Sequence, residues 1–195
     1  AIDAGGNTTC ALLDDGAVAC WGAGGYGQLG NNTTANTNTP QDVASFPGNK
    51  GAISIAVGSR HACVLLTDQN MSCWGNNLFS QLGDTTTNNS TTPVLVQPMN
   101  GTAKPVALTL NNLHTCALLD DGNAACWGLG SYGALGIGLP ESSSPVEVAV
   151  VPSSIADIDA GVWHTCAVLN NGSVACWGEN RELQVGSPSP RAEPT

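Results

Sequence analysis

Charge is what this chain has least of. Only 10% of its 195 residues are Asp, Glu, Lys or Arg, far below the roughly 25% of an ordinary soluble domain. Five basic residues stand against fifteen acidic ones, for a formal net charge of −10. Proteins that grip nucleic-acid phosphates need clustered Lys and Arg. The sequence therefore predicts no nucleic-acid partner and no anionic membrane surface. No apolar run approaches the roughly 18 residues of a membrane span, so no membrane insertion is expected. Helical periodicity is missing as well, since no segment sustains it over three turns. The catalytic motifs are also lacking. There is no Gly-x-Ser-x-Gly elbow, no phosphate loop, no His-Glu-x-x-His, and no glutamate pair at a recognisable spacing among only five Glu. The expectation is a non-enzyme without cofactor or bound metal.

Polarity comes instead from neutral groups: 18 Asn, 17 Thr and 24 Gly. Hydrophobic residues make up 42%, too many for a disordered chain. The first residue is Ala1 rather than Met, with no basic segment leading into an apolar one. Two readings stay open: a leader already removed, or a segment of something longer.

The eight cysteines expose a repeat. They are Cys10, Cys20, Cys63, Cys73, Cys116, Cys126, Cys166 and Cys176, in pairs ten residues apart, and the first members step by 53, 53 and 50. A period of that size marks a propeller or solenoid. The four copies read TTCALLDDGAVACWG, HACVLLTDQNMSCWG, HTCALLDDGNAACWG and HTCAVLNNGSVACWG. Eight residues before each first cysteine an aliphatic recurs (Ile2, Ile55, Leu108, Ile158), and three later comes Gly5, Gly58, Asn111 or Gly161. Asn is the usual substitute for Gly at positive φ, so that position is expected to be left-handed. After Cys-Trp-Gly each copy reaches GYGQLG, LFSQLG, SYGALG or RELQVG, then a polar loop. The first three loops end in Pro40, Pro93 and Pro145, each expected to open a short strand. Asp14-Asp15-Gly16 between apolar runs predicts a hairpin with a three-residue loop. Gln69 replaces the glycine in the second copy, so that turn is expected to be longer or strained. The fold class follows: all-β, with β-propeller-type repeats in four four-stranded blade units. Their expected bounds are 1–51, 52–105, 106–154 and 155–195, the last cut short.

These residues resemble the regulator of chromosome condensation repeat family, whose repeat carries an Ile-x-x-Gly strand, a His-Thr-x-Ala-Leu strand, a D-G turn, Trp-Gly and Gly-Gln-Leu-Gly. The likeness runs through nearly the whole chain. Cys-Trp-Gly is intact four times, whereas Gly-Gln-Leu-Gly is complete only at Gly27–Gly30. Ser80, Ala134, Leu183 and Val185 depart from it. The paired cysteines mark a variant of the secreted, bacterial type. The resemblance implies a seven-bladed propeller, for which four copies are too few. The chain is then part of a longer propeller, or closes with other chains, or forms an array whose ends stack head to tail.

The hairpin register sets Cys10 opposite Cys20, and likewise Cys63–Cys73, Cys116–Cys126 and Cys166–Cys176. Disulfides are the favoured reading. Buried reduced thiols and metal ligands are the alternatives. Closing a loop of about eleven residues contributes about 2.8 kcal/mol in the chain-entropy treatment. Disulfides imply an oxidising compartment, hence an extracellular or cell-surface location. His61, His114 and His164 sit two residues before a first cysteine and are read as structural hydrogen bonders near the propeller centre, with metal or acid–base work as the alternative. Trp21, Trp74, Trp127 and Trp177 read as packing between blades, with a carbohydrate platform as the alternative. Trp163 is different. Its equivalents are Asn7, Arg60 and Leu113, so the repeat does not demand it, and it is the candidate binding residue. Asp14-Asp15, Asp120-Asp121 and Asp157-x-Asp159 lack the spacing of a calcium loop; turn chemistry accounts for the first two. Candidate glycosylation sequons occur at Asn7, Asn31, Asn32, Asn70, Asn88, Asn89, Asn100 and Asn171. The long Thr/Asn loops read as solvated connectors. The function expected from all this is a non-catalytic extracellular scaffold, structural or adhesive. Its partners are proteins, namely further copies of itself or missing repeats of a longer chain, with glycans as a further candidate. The alternative is a protein-binding module of inhibitor or receptor type. Guanine-nucleotide exchange on a small GTPase ranks lower.

Overall fold

A computed structural model of the chain describes residues 1–99, 101–148 and 153–186. Its described residues form fifteen strands and two single 3₁₀ turns, with no α-helix. The first sheet runs in the order β1 (Ile2–Gly5), β2 (Thr8–Leu12), β3 (Val18–Gly22), β4 (Thr37–Asp42). The second is β5 (Ala52–Val57), β6 (His61–Leu66), β7 (Met71–Gly75), β8 (Ser90–Leu95). The third is β9 (Pro105–Leu110), β10 (His114–Leu119), β11 (Ala124–Leu129), β12 (Glu141–Glu147). The fourth has three strands among the described residues: β13 (Ile155–Ala160), β14 (His164–Leu169), β15 (Val174–Gly178). Every neighbouring pair is antiparallel. The expected β-propeller blades are therefore present, laid one against the next.

The short connections explain this order. Leu13 N–H donates to Ala17 O and Gly16 N–H to Leu13 O, closing the three-residue loop. Asp15, Asp121 and Asn171 each accept the amide two residues on, which is Asx-turn chemistry. The second hairpin is neither longer nor differently bonded. Gln69 occupies the same turn position at φ 67°, so the strain sits in one backbone angle.

Two expectations are corrected. Gly5, Gly58, Gly161 and Asn111 do not lie at positive φ. Glycine is needed there for space. A Cβ on Gly5 would collide with the carbonyl oxygen of Val57, and one on Gly58 with that of Asn111. Asn111 instead uses its side chain, donating from Nδ2 to Ala160 O at 2.8 Å. The prolines do not open their strands either. β4, β8 and β12 start three or four residues earlier, and Pro40, Pro93 and Pro145 fall where the register slips. An outer strand with a bulge is where a residue without an N–H does least harm.

Burial divides each blade into two faces. The face bearing Cys63, Leu65, Met71 and Cys73 packs with Ala117, Leu119 and Trp127 of the following blade. The opposite face, with Val64, Leu66 and Trp74, packs against Cys10, Val18, Cys20 and Leu29 of the preceding one. A third core joins blades three and four in the same way. The hydrophobic core is thus three seams between blades.

Candidate functional site

All four predicted cysteine pairs are disulfides, with Cα atoms 4.1 Å apart. Cys10–Cys20, Cys63–Cys73 and Cys116–Cys126 are fully buried inside seams. Cys166–Cys176, in the fourth sheet, is half-buried.

The same seams take up the recurrent Trp and His. Trp74 donates its ring N–H to the carbonyl of Gln28, Trp127 to that of Gln81 and Trp177 to that of Ala134, each at 3.0 Å. Each ring also rests on the last glycine of the preceding blade's Gly-Gln-Leu-Gly turn. A Cβ there would stand 2.8, 2.7 and 2.6 Å from the indole nitrogen at Gly30, Gly83 and Gly136. These three tryptophans are fully buried and cannot serve as a carbohydrate platform. Trp21, in the first sheet, is half-buried.

The histidines reach the other way, into the following blade. His61 Nε2 lies 2.9 Å from Thr115 Oγ1, and His114 Nε2 lies 3.2 Å from Thr165 Oγ1. Thr115 donates its proton to Gln81 O and Thr165 donates to Ala134 O. The threonine oxygens are therefore acceptors toward the rings, and both imidazoles carry their proton on Nε2. Burial, with the neighbouring His114 adding to it, lowers the His61 pKa to about 3. Burial, with His164 adding to it, lowers His114 to about 4. Neutral, buried rings bonded to threonine fit a structural role. In the second and third seams the unit is thus His, Thr, a backbone carbonyl and Trp; the first seam, with Thr8 and Ala62 in the His and Thr places, keeps the carbonyl and Trp. The threonine and the carbonyl escaped the sequence reading, because Thr9, Ala62, Thr115 and Thr165 look like ordinary strand residues and a carbonyl leaves no trace in sequence.

Trp163 lies at one end of the blades, half-buried. Its ring meets Tyr132 edge-on, 6.2 Å between centroids at 81°. The Arg181 guanidinium sits 5.0 Å over Tyr132 and donates to its hydroxyl at 3.2 Å. Arg181 also pairs with Glu179 at 3.5 Å. At the same end of the first seam, Arg60, the positional equivalent of Trp163, stacks 4.8 Å over Tyr26. This end therefore gathers two of the chain's five basic residues with three aromatics. Nearer the axis, a cavity of about 440 Å³ is lined by innermost-strand residues including Asp3, Gly58, Thr109, Asn111 and Asp159. Its carboxylates are occupied: Asp3 accepts Val57 N–H at 2.7 Å, and Asp159 accepts the Thr109 hydroxyl at 2.9 Å.

Of the sequon asparagines, Asn7, Asn32, Asn70, Asn88, Asn89 and Asn171 are exposed and Asn31 is half-buried; Asn100 lies outside the described residues. The second Thr/Asn loop is more than a solvated connector. The buried Asn77 donates to Asp84 and Thr86, and its amide donates to Asn89 Oδ1.

Two profiles of the Regulator of chromosome condensation (RCC1) repeat match, one over residues 1–28, 52–81, 106–134 and 155–184, the other over 15–65 and 121–168. The chain belongs to the RCC1 repeat family. Among curated relatives, human "E3 ubiquitin-protein ligase HERC2" is 30% identical over 68% of this chain and 3% of its own length. The "Ultraviolet-B receptor UVR8" of Arabidopsis thaliana is 34% identical over 62% of this chain and 27% of its own length. The chain thus spans a small part of these relatives. Among solved structures, human WBSCR16 superposes with a TM-score of 0.88 at 22% identity, covering all of this chain and 52% of that one. Yeast RCC1 (Prp20), solved bound to Kap60, gives 0.86 at 25% identity over 100% and 47%. The RCC1-like propeller architecture is shared with both. Among the described residues no helix is long and apolar enough to cross a membrane.

Proposed function

We propose that this chain is a non-catalytic extracellular scaffold that works by binding protein, in part other blades of its own kind. The observation that carries the reading is how the recurrent polar groups are used. His61, His114, Trp74, Trp127 and Trp177 are all engaged inside seams. What remains on the outside among the described residues is the end that carries Tyr26, Arg60, Tyr132, Trp163 and Arg181. Trp, Tyr and Arg are the residues that anchor protein interfaces. Four disulfides in four blades support an oxidising, extracellular setting. The exposed sequon asparagines leave room for glycans there.

Two measurements test it. Intact mass of the chain taken from its natural compartment is expected to be eight hydrogens lighter than after reduction, one for each cysteine. A photoreactive residue in place of Trp163 is expected to cross-link a protein in that compartment. Free thiols in the native material, or a cross-linker at 163 that captures no protein, sinks the reading.

A further inference from the structure

Each seam ends, on the Trp163 side, in an aromatic residue of one blade and, from the next blade, the side chain just before the histidine column. The three pairs are Tyr26 with Arg60, Phe79 with Leu113, and Tyr132 with Trp163. They hold equivalent places but differ in chemistry, since the second member is a cation, an aliphatic or an aromatic. Leu78, next to Phe79 in the chain, is 59% exposed, and Phe79 and Leu113 are half-buried. The cation of the first seam thus has an apolar strip beside it at the second.

The two arginines of this end are in different states. Arg181 is occupied, by Glu179 and by the Tyr132 hydroxyl. Arg60 is exposed and lies 4.8 Å over the Tyr26 ring. Among the described residues no acceptor bonds its guanidinium. Its backbone is tied on both sides: the Arg60 carbonyl accepts Asn76 N–H at 2.9 Å, and Ser59 N–H donates to Asn111 O at 3.0 Å. Stacking fixes the guanidinium plane against the ring and leaves its in-plane N–H donors for another acceptor. The chain has fifteen acids to draw on, and none of the described ones pairs with it. Asp14, Asp15, Asp68, Asp120 and Asp121 lie in hairpin turns at the opposite end of the strands. Asp84 is engaged by Asn77 and Thr86.

We infer that this end binds an extended, acidic segment of a partner protein, with a carboxylate gripped by Arg60 and an apolar side chain laid against Leu78 and Phe79. This rests on the scaffold reading above and names the chemistry of the partner. A carboxylate fits because a guanidinium offers two parallel donors that match its two oxygens. A stacked, tied Arg also gives up little freedom on binding. The apolar neighbour fits because neighbouring blades pack about 10 Å apart, the distance between sheets face to face. About three residues of extended chain span that distance, so one short segment reaches both seams. A polyanion is a poor occupant, since one unpaired Arg on a chain of net charge −10 does not make a phosphate-binding surface. A segment confined to this end stays clear of the acidic hairpin turns.

Selection of short random peptides, displayed on phage, against the folded 195-residue chain tests it. The recovered sequences are expected to share an Asp or Glu with an apolar residue about three positions away. A synthetic peptide of the recovered type is expected to bind about 10-fold more weakly when its acid is changed to the amide. Arg60→Glu is expected to cost at least about as much, the loss typical of a hydrogen bond between charged groups. Arg60→Lys keeps the charge but not the fork or the stacking, and is expected to fall between wild type and Arg60→Glu. Leu78→Ala is expected to weaken binding about 5-fold, and Lys104→Glu, at the opposite end, to leave it unchanged. Arg60 and Leu78 are exposed, and melting curves check that the variants fold; the change of acid to amide in the peptide needs no variant of the chain. A selection that enriches no sequence, recovered peptides without an acid, or peptides that bind Arg60→Glu as tightly as wild type overturns the proposal. Free thiols in the native material, or a silent cross-linker at 163, would sink the scaffold reading and leave the measured peptide preference standing, so the two readings fail separately.

Discussion

At the scale of the residue, the repeat tolerates departures that the backbone still feels. Gln69 sits at φ 67° in a turn where Gly16, Gly122 and Gly172 sit at 83°. A side chain there clashes with its own carbonyl, at about 1 kcal/mol or somewhat more. Gln69→Gly is expected to stabilise the chain by about 1 kcal/mol, partly offset by the greater freedom of Gly in the unfolded chain. Chemical denaturation measures it; an unchanged midpoint would show that the turn carries no strain. Ser80 and Leu183 take the same left-handed conformation, at 58° and 62°, where Gly27 and Gly133 take 85° and 81°. Sequence reading located this strain well in the hairpin, because a D-G turn names its own geometry. It erred at Gly5, Gly58 and Gly161, because a glycine needed for close approach looks the same in sequence as one needed for φ. Only the position of the neighbouring strand separates the two.

At the scale of the element, a seam is a pair of blade faces pinned by a short polar chain. That chain makes stability depend on pH. The folded protein holds His61 at about 3 and His114 at about 4, whereas the unfolded chain binds their protons near 6.5. The folded pKa values are depressed, so the stability these rings contribute is present above pH 6.5 and is lost as pH falls toward 4 and then 3. Each ring adds up to about 1.4 kcal/mol per pH unit to the slope. Between pH 6.5 and 5 ordinary carboxylates stay ionised, so that interval isolates the histidines. The melting temperature is expected to fall through it, and His61→Gln is expected to flatten the fall by about half while lowering stability at pH 7. Equal slopes for wild type and variant would show that His61 is not held neutral. The histidines were visible in the sequence as a recurrent column. Their threonine partners were not, because the bond crosses to the next blade, more than fifty positions along, and the partner's own column is broken by Ala62.

At the scale of the molecule, the repeat period, the hairpins and the cysteine pairing were all legible, because each rests on spacing within one blade. The division of each blade into a preceding face and a following face was not, since it depends on how blades stack. That division sets the behaviour of the four disulfides. Three lie fully buried in seams, and Cys166–Cys176 is half-buried in the fourth sheet. Thiol–disulfide exchange requires a thiolate to reach a sulfur atom, so access governs the rate. A mild reductant followed by alkylation is expected to label Cys166 and Cys176 first. The other three pairs are expected to wait for blade opening. Mass mapping of the alkylated cysteines reads all of this in one series. Uniform reduction of the four pairs in dilute solution would mean that the last blade is no more open than the others.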